Sequence, residues 1–111
     1  MKTARAKITW VVEKKFIPPV INGERNKQLA YTPIIVFEGQ YSKPIWAENH
    51  SNVPLWSSII FNEKIEDVQS ISSVTYLSEF APYHLLKAGA KFDLFEGRKK
   101  VAEGVIIEKI F

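Results

Sequence analysis

Apolar and polar side chains alternate from the start of the chain. Over residues 3–13, Ala6, Ile8, Trp10 and Val12 fall on one face, with Lys7, Thr9 and Glu13 on the other. Period two with β-branched and aromatic residues predicts a half-buried strand. Pro33 opens a short apolar run, Ile34-Ile35-Val36-Phe37, closed by Glu38-Gly39. Proline is tolerated at a first strand position because its missing N–H need not break a ladder bond. Residues 57–61 and 71–78 read as two further strands, and residues 91–95 and 100–110 as the last two. Glu96-Gly97-Arg98-Lys99 separates that final pair, the signature of a β-hairpin. Gly104, inside the last strand, predicts a bulge or a sharp barrel bend.

Between these runs the pattern breaks twice. Residues 14–31 carry Pro18-Pro19, Asn22-Gly23 and the charged run Glu24-Arg25-Asn26-Lys27, and residues 39–56 carry Pro44, Asn49, Asn52 and Pro54. Both read as long loops, which in a compact domain are functional or cross between sheet regions. Residues 81–89 have room for one helical turn between Pro82 and Gly89. Some six short strands and no amphipathic helix of useful length predict one all-β domain over residues 1–111, a closed barrel or a sandwich.

Composition narrows the function classes. The 111 residues are 46% hydrophobic, and a domain of this size buries roughly 65% of its extended-chain surface. One core is therefore expected without help from metals or disulfides. Cysteine is absent, which removes disulfide frameworks, thiolate nucleophiles and Cys-based zinc sites. The early charges are not followed by an apolar signal region, and no apolar run reaches membrane-spanning length. A cytoplasmic protein with no membrane partner is the expectation.

Nothing in the sequence marks an enzyme. His50 and His84 stand apart from other ligand-type residues, and there is no Gly-x-Ser-x-Gly elbow. Glycines are not arranged as a phosphate-binding loop, and Asn26-Lys27 runs into Gln28-Leu29 rather than a guanine-reading motif. No nucleotide, cofactor or metal is expected. An enzyme would need a carboxylate pair with raised pKa in a pocket, and the sequence selects no such pair.

Two sets of residues are candidates for binding. Tyr41, Trp46 and Trp56 lie in or beside the second irregular stretch. They cap a barrel end, form a protein-binding surface, since Trp and Tyr concentrate interface energy, or stack single-stranded bases, and the few Lys or Arg between them favour protein over RNA. The net charge is +3, from fifteen Lys and Arg against twelve Asp and Glu. Its short clusters, Lys14-Lys15 and Arg98-Lys99-Lys100, are either solvated turns or contacts to RNA phosphates.

The C-terminal third carries a further pattern: Pro82, Leu85 or Leu86, Gly89, Lys91-Phe92, Glu96-Gly97, Val101 and Gly104-Val105-Ile106. Upstream, Gly23-x-Arg25 precedes Tyr31-x-Pro33, and Ala6-Lys7-Ile8 opens the first strand. In this order they resemble the third, C-terminal domain of translation elongation factor Tu. The resemblance implies a six-stranded antiparallel closed barrel. In that family the domain contacts the T-stem of aminoacyl-tRNA, the exchange factor and the GTPase domain, and the Glu-Gly of the last hairpin belongs to the tRNA-contacting edge. Glu96 and Gly97 occupy those positions here, with Lys99 near the Arg that follows. The chain departs from the pattern at Thr32 and Arg98, across residues 39–56, and over 62–70, which replace a Met-Pro-Gly-Asp segment. The GTPase and second domains have no counterpart, so the activity of a translation factor is not implied.

The expectation is a non-catalytic, stand-alone barrel that binds a protein. A mimic of the elongation-factor domain or an immunity-type protein would fit. The alternative is a tRNA or RNA-stem binder using Lys14, Lys15, Glu96, Gly97, Arg98, Lys99 and Lys100.

Overall fold

A computed structural model describes residues 2–20, 31–40 and 55–111. Six strands, β1 (Ala4–Trp10), β2 (Ile34–Phe37), β3 (Trp56–Glu66), β4 (Gln69–Tyr76), β5 (Lys91–Glu96) and β6 (Lys99–Lys109), pair in the order β1-β4-β3-β2-β5-β6 and close into a barrel. Every pairing is antiparallel. Among the described residues no helix is long and apolar enough to cross a membrane.

The alternation read in β1 becomes the inside and outside of the barrel. Ala4, Ala6, Ile8 and Trp10 are buried, while Lys7 is exposed between them. Ile35 and Phe37, Val74 and Tyr76, and Phe92 and Leu94 fill the lumen at the same spacing. The strand stops short of residue 13 because pairing runs out. Val11 N–H still donates to the Val101 carbonyl at 2.9 Å, and a single 3₁₀ turn at Lys14–Phe16 follows.

Two expectations change. Gly104 is not a bulge: it pairs in register with Ile8 on one side and Phe92 on the other. A β-carbon there would sit 2.2 Å from the Phe92 ring, so the glycine makes room for that ring in the lumen. The register irregularities fall instead between Arg5 and Ala6, between Asn62 and Lys64, and between Leu94 and Phe95. Residues 62–66, which the sequence left unassigned, extend β3 and join β4 through a tight turn. Asp67 takes a φ of 56° there, which Asp accepts more readily than most residues.

The last hairpin turns on two residues, since Glu96 pairs with Lys99. Gly97 at φ 62° occupies the first central position, where a type II′ turn calls for glycine. The helical turn expected near residues 81–89 is a 3₁₀ turn at Tyr83–Leu85.

Candidate functional site

Pairing of Trp10 with Ala102 sets the end of β1 beside the start of β6. The chain leaving β1 is therefore brought against the β5–β6 hairpin, which is some eighty positions later in the sequence. Between them lies an open groove of about 550 Å³. Val12 and the segment Lys15, Phe16, Ile17, Pro18 and Pro19 form one side, Glu96, Lys99 and Val101 the other, and Tyr31 lines it as well.

Three attachments hold the groove in shape. Ile17 is buried in the core cluster, anchoring the middle of the first wall. Tyr31 packs its ring 5.8 Å from that of Trp10 and donates its hydroxyl to Glu96 Oε2 at 2.5 Å. Burial, then the hydrogen bond and charge of Glu96, push the Tyr31 phenol well above its ordinary value, so it stays a donor at physiological pH.

The third attachment is a chain of hydrogen bonds across the barrel wall. Trp10 Nε1–H donates to Ser70 Oγ at 2.9 Å, and Ser70 Oγ lies 2.9 Å from Ser72 Oγ. Ser72 donates to Asn62 Oδ1 at 2.6 Å, and Asn62 Nδ2 donates to the Pro18 carbonyl at 2.7 Å. An indole N–H can only donate, and the Ser72 proton is committed to Asn62. Ser70 therefore donates to Ser72, and all four bonds run in one direction. Ser70, Ser72 and Asn62 are all buried, so the relay keeps these polar groups satisfied while tying Pro18 to β3.

The basic residues singled out in the sequence do gather at this end, but most are neutralised locally. Lys14 Nζ sits 2.6 Å from Asp67 Oδ1, and Lys15 Nζ sits 3.4 Å from Glu13 Oε2. Lys100 reaches Asp93 at 3.3 Å and also contacts Glu103. The Glu103 hydrogen bond contributes most to holding the Lys100 ammonium above its ordinary pKa, and hydrogen bonding to Lys14 holds the exposed Asp67 carboxyl below its own. Glu96 is committed to Tyr31. Among the described residues, Arg98 and Lys99 are the two members of the set without a carboxylate in ion-pair range.

The aromatic candidates separate. Tyr41 and Trp46, like His50, lie outside the described residues. Trp56 begins β3 and packs, half-buried, against the core. His84 is exposed on its 3₁₀ turn. Among the described residues no three His, Cys, Asp or Glu side chains gather closely enough to hold a metal ion.

Several residues of the groove were not singled out by sequence. Phe16, 65% exposed, presents its ring at the groove. Ser70 and Ser72 gave one faint signal, polar residues at period two, which reads as an outward face until the barrel closes, and Asn62 gave none. Tyr31 was noted only within Tyr31-x-Pro33.

No family model matches the chain, and no curated protein or solved structure matches it either. The likeness to the third domain of elongation factor Tu thus rests on the motifs quoted above.

Proposed function

We propose that the barrel is a non-catalytic binding module whose partner is another protein, taken up at the groove between residues 12–19 and the β5–β6 hairpin. The observation that carries this reading is the groove itself, apolar along Val12, Ile17 and Val101 and flanked by the exposed ring of Phe16. Aromatic anchors beside apolar clefts are where protein interfaces concentrate their energy.

Electrostatics favours protein over RNA. Lys14, Lys15 and Lys100 each face a carboxylate, and a phosphate approaching them would meet that carboxylate too. If only Arg98 and Lys99, the unpaired members of the candidate set among the described residues, met phosphates, the log–log salt slope would be only about −2. That supplies little affinity at physiological salt. Free mimicry of the elongation-factor domain, or neutralisation of a toxin by an immunity-type protein, are roles of this class.

The test is site-specific photo-crosslinking in the full chain, from position 16 and from position 80 at the opposite end. A polypeptide adduct from position 16 that is absent from position 80 supports the reading. RNA adducts from position 16 would replace it with the nucleic-acid alternative, and polypeptide adducts from position 80 alone would move the interface to the other end.

A further inference from the structure

Resting on the protein-binding reading, we propose that the groove takes an extended peptide segment of acidic-apolar character, seating an apolar side chain against Val12, Ile17 and Val101 and a carboxylate on Lys99 and Arg98. A volume of about 550 Å³ has room for one or two large side chains.

The first wall fixes how such a segment is read. Pro18 and Pro19 have no N–H, and the Pro18 carbonyl already accepts from Asn62. That wall offers no ladder for an added strand, so recognition passes through side chains. The apolar lining and Phe16 select one kind of side chain.

Charge selects the other. The Glu96 carboxylate accepts from the Tyr31 hydroxyl at 2.5 Å and keeps its charge, one anion beside the two cations Arg98 and Lys99 of the same hairpin. Lys99 lines the groove with no carboxylate of its own among the described residues, and Arg98 is its neighbour in the turn. Among the described residues the hairpin side of the mouth carries Arg98 and Lys99 against Glu96, a positive excess whose complement is an acid flanking the apolar anchor.

Three fluorescein-labelled synthetic peptides with one shared Leu-Phe core, flanked by aspartates, serines or lysines, test this by fluorescence anisotropy on the full chain, with bulk tRNA as a fourth probe. Amide chemical shifts report where each binds. The aspartate peptide should bind about tenfold tighter than the serine peptide, and Arg98→Glu/Lys99→Glu should abolish that advantage and shift the preference to the lysine peptide. Phe16→Ala, at an exposed site, should weaken all three peptides and leave the fold intact. Equal affinity for the three peptides at this groove would overturn the acidic preference and leave the protein-binding reading standing. Binding by none of them, with shifts unmoved at residues 12–19 and 101, would overturn both. Steeply salt-dependent binding of tRNA alone would overturn both in favour of RNA.

Discussion

At the groove end of the barrel, Trp10, Ser70, Ser72 and Asn62 pass hydrogen bonds across three strands. At the opposite end, Tyr83 packs edge-on against Tyr76 at 5.3 Å and Phe111 at 6.5 Å. Lys2 lies over the rings of Tyr83 and Phe111, and Lys109 lies 4.5 Å over Phe111. One strand shows the change: the lumen-facing positions of β4 run Ser70, Ser72, Val74, Tyr76. Directional bonds fix a loop in one place, whereas ring packing tolerates small displacements. The end with the relay is the end that holds a shaped groove. The opposite end carries Phe80, 82% exposed, and among the described residues no comparable relay reaches it.

The largest lesion should fall on the middle that both ends share. Gly104→Ala puts a β-carbon into the Phe92 ring. We expect a loss of about 3 kcal/mol in denaturant unfolding. Phe92→Leu in the same chain should recover part of it. A full-stability Gly104→Ala variant would show that the lumen is not close-packed there.

Tyr83→Ala should come next, at about 2.5 kcal/mol, because it removes two ring contacts and the hydroxyl bond to the Ser78 carbonyl at 3.0 Å. Peptide binding at the groove should survive it. Asn62→Ala should cost about 2 kcal/mol, since it strands the Ser72 hydroxyl and frees Pro18. Its mark is local: hydrogen exchange should accelerate at residues 14–20 and not at residues 83–86. If the two variants loosen the same amides, the ends are not independent.

Tyr31→Phe is a smaller change, about 1 kcal/mol, because Glu96 is exposed and water can replace the phenol. Its pH dependence is the sharper readout. The folded phenol holds its proton more tightly than the unfolded one, whose ordinary value is 10.0. The folded state therefore binds more protons once pH passes that value. Stability from this group is full below about pH 10 and is lost as pH rises toward the folded pKa. Tyr31→Phe should flatten that alkaline loss.

The smallest effect belongs to Asp67→Asn. The Asp67 pKa is lowered chiefly by Lys14, so its contribution is present above the ordinary carboxyl range and fades as pH falls through the depressed value. The pair is fully solvent-exposed, and its removal should be visible only as a slightly shallower acid limb at low salt.

How much of this was legible follows from what each feature depends on. β1, β5 and β6 were read nearly to their ends because apolar alternation and the Glu96-Gly97 turn are local properties. Residues 62–70 were missed because their inward residues are Asn62 and Ser70, polar side chains that look solvent-facing in a linear pattern. The basic clusters were found but not their neutralisation: the Lys15–Glu13 and Lys100–Glu103 pairs are local, whereas Lys14 meets Asp67 of the β3–β4 turn and Lys100 meets Asp93 of β5 only once the barrel is formed. At Gly104 the bulge reading failed, and the close approach of the Phe92 ring was invisible because that ring comes from a neighbouring strand.

By itself the sequence determined the strands, the hairpin turn and the all-β class, since period-two patterning and turn residues act within a few positions. Tertiary structure decided the closure, the polar relay and the groove. Each joins residues from distant parts of the chain, such as Lys15 with Lys99 and Pro18 with Asn62, through a register that only the closed ring of strands imposes.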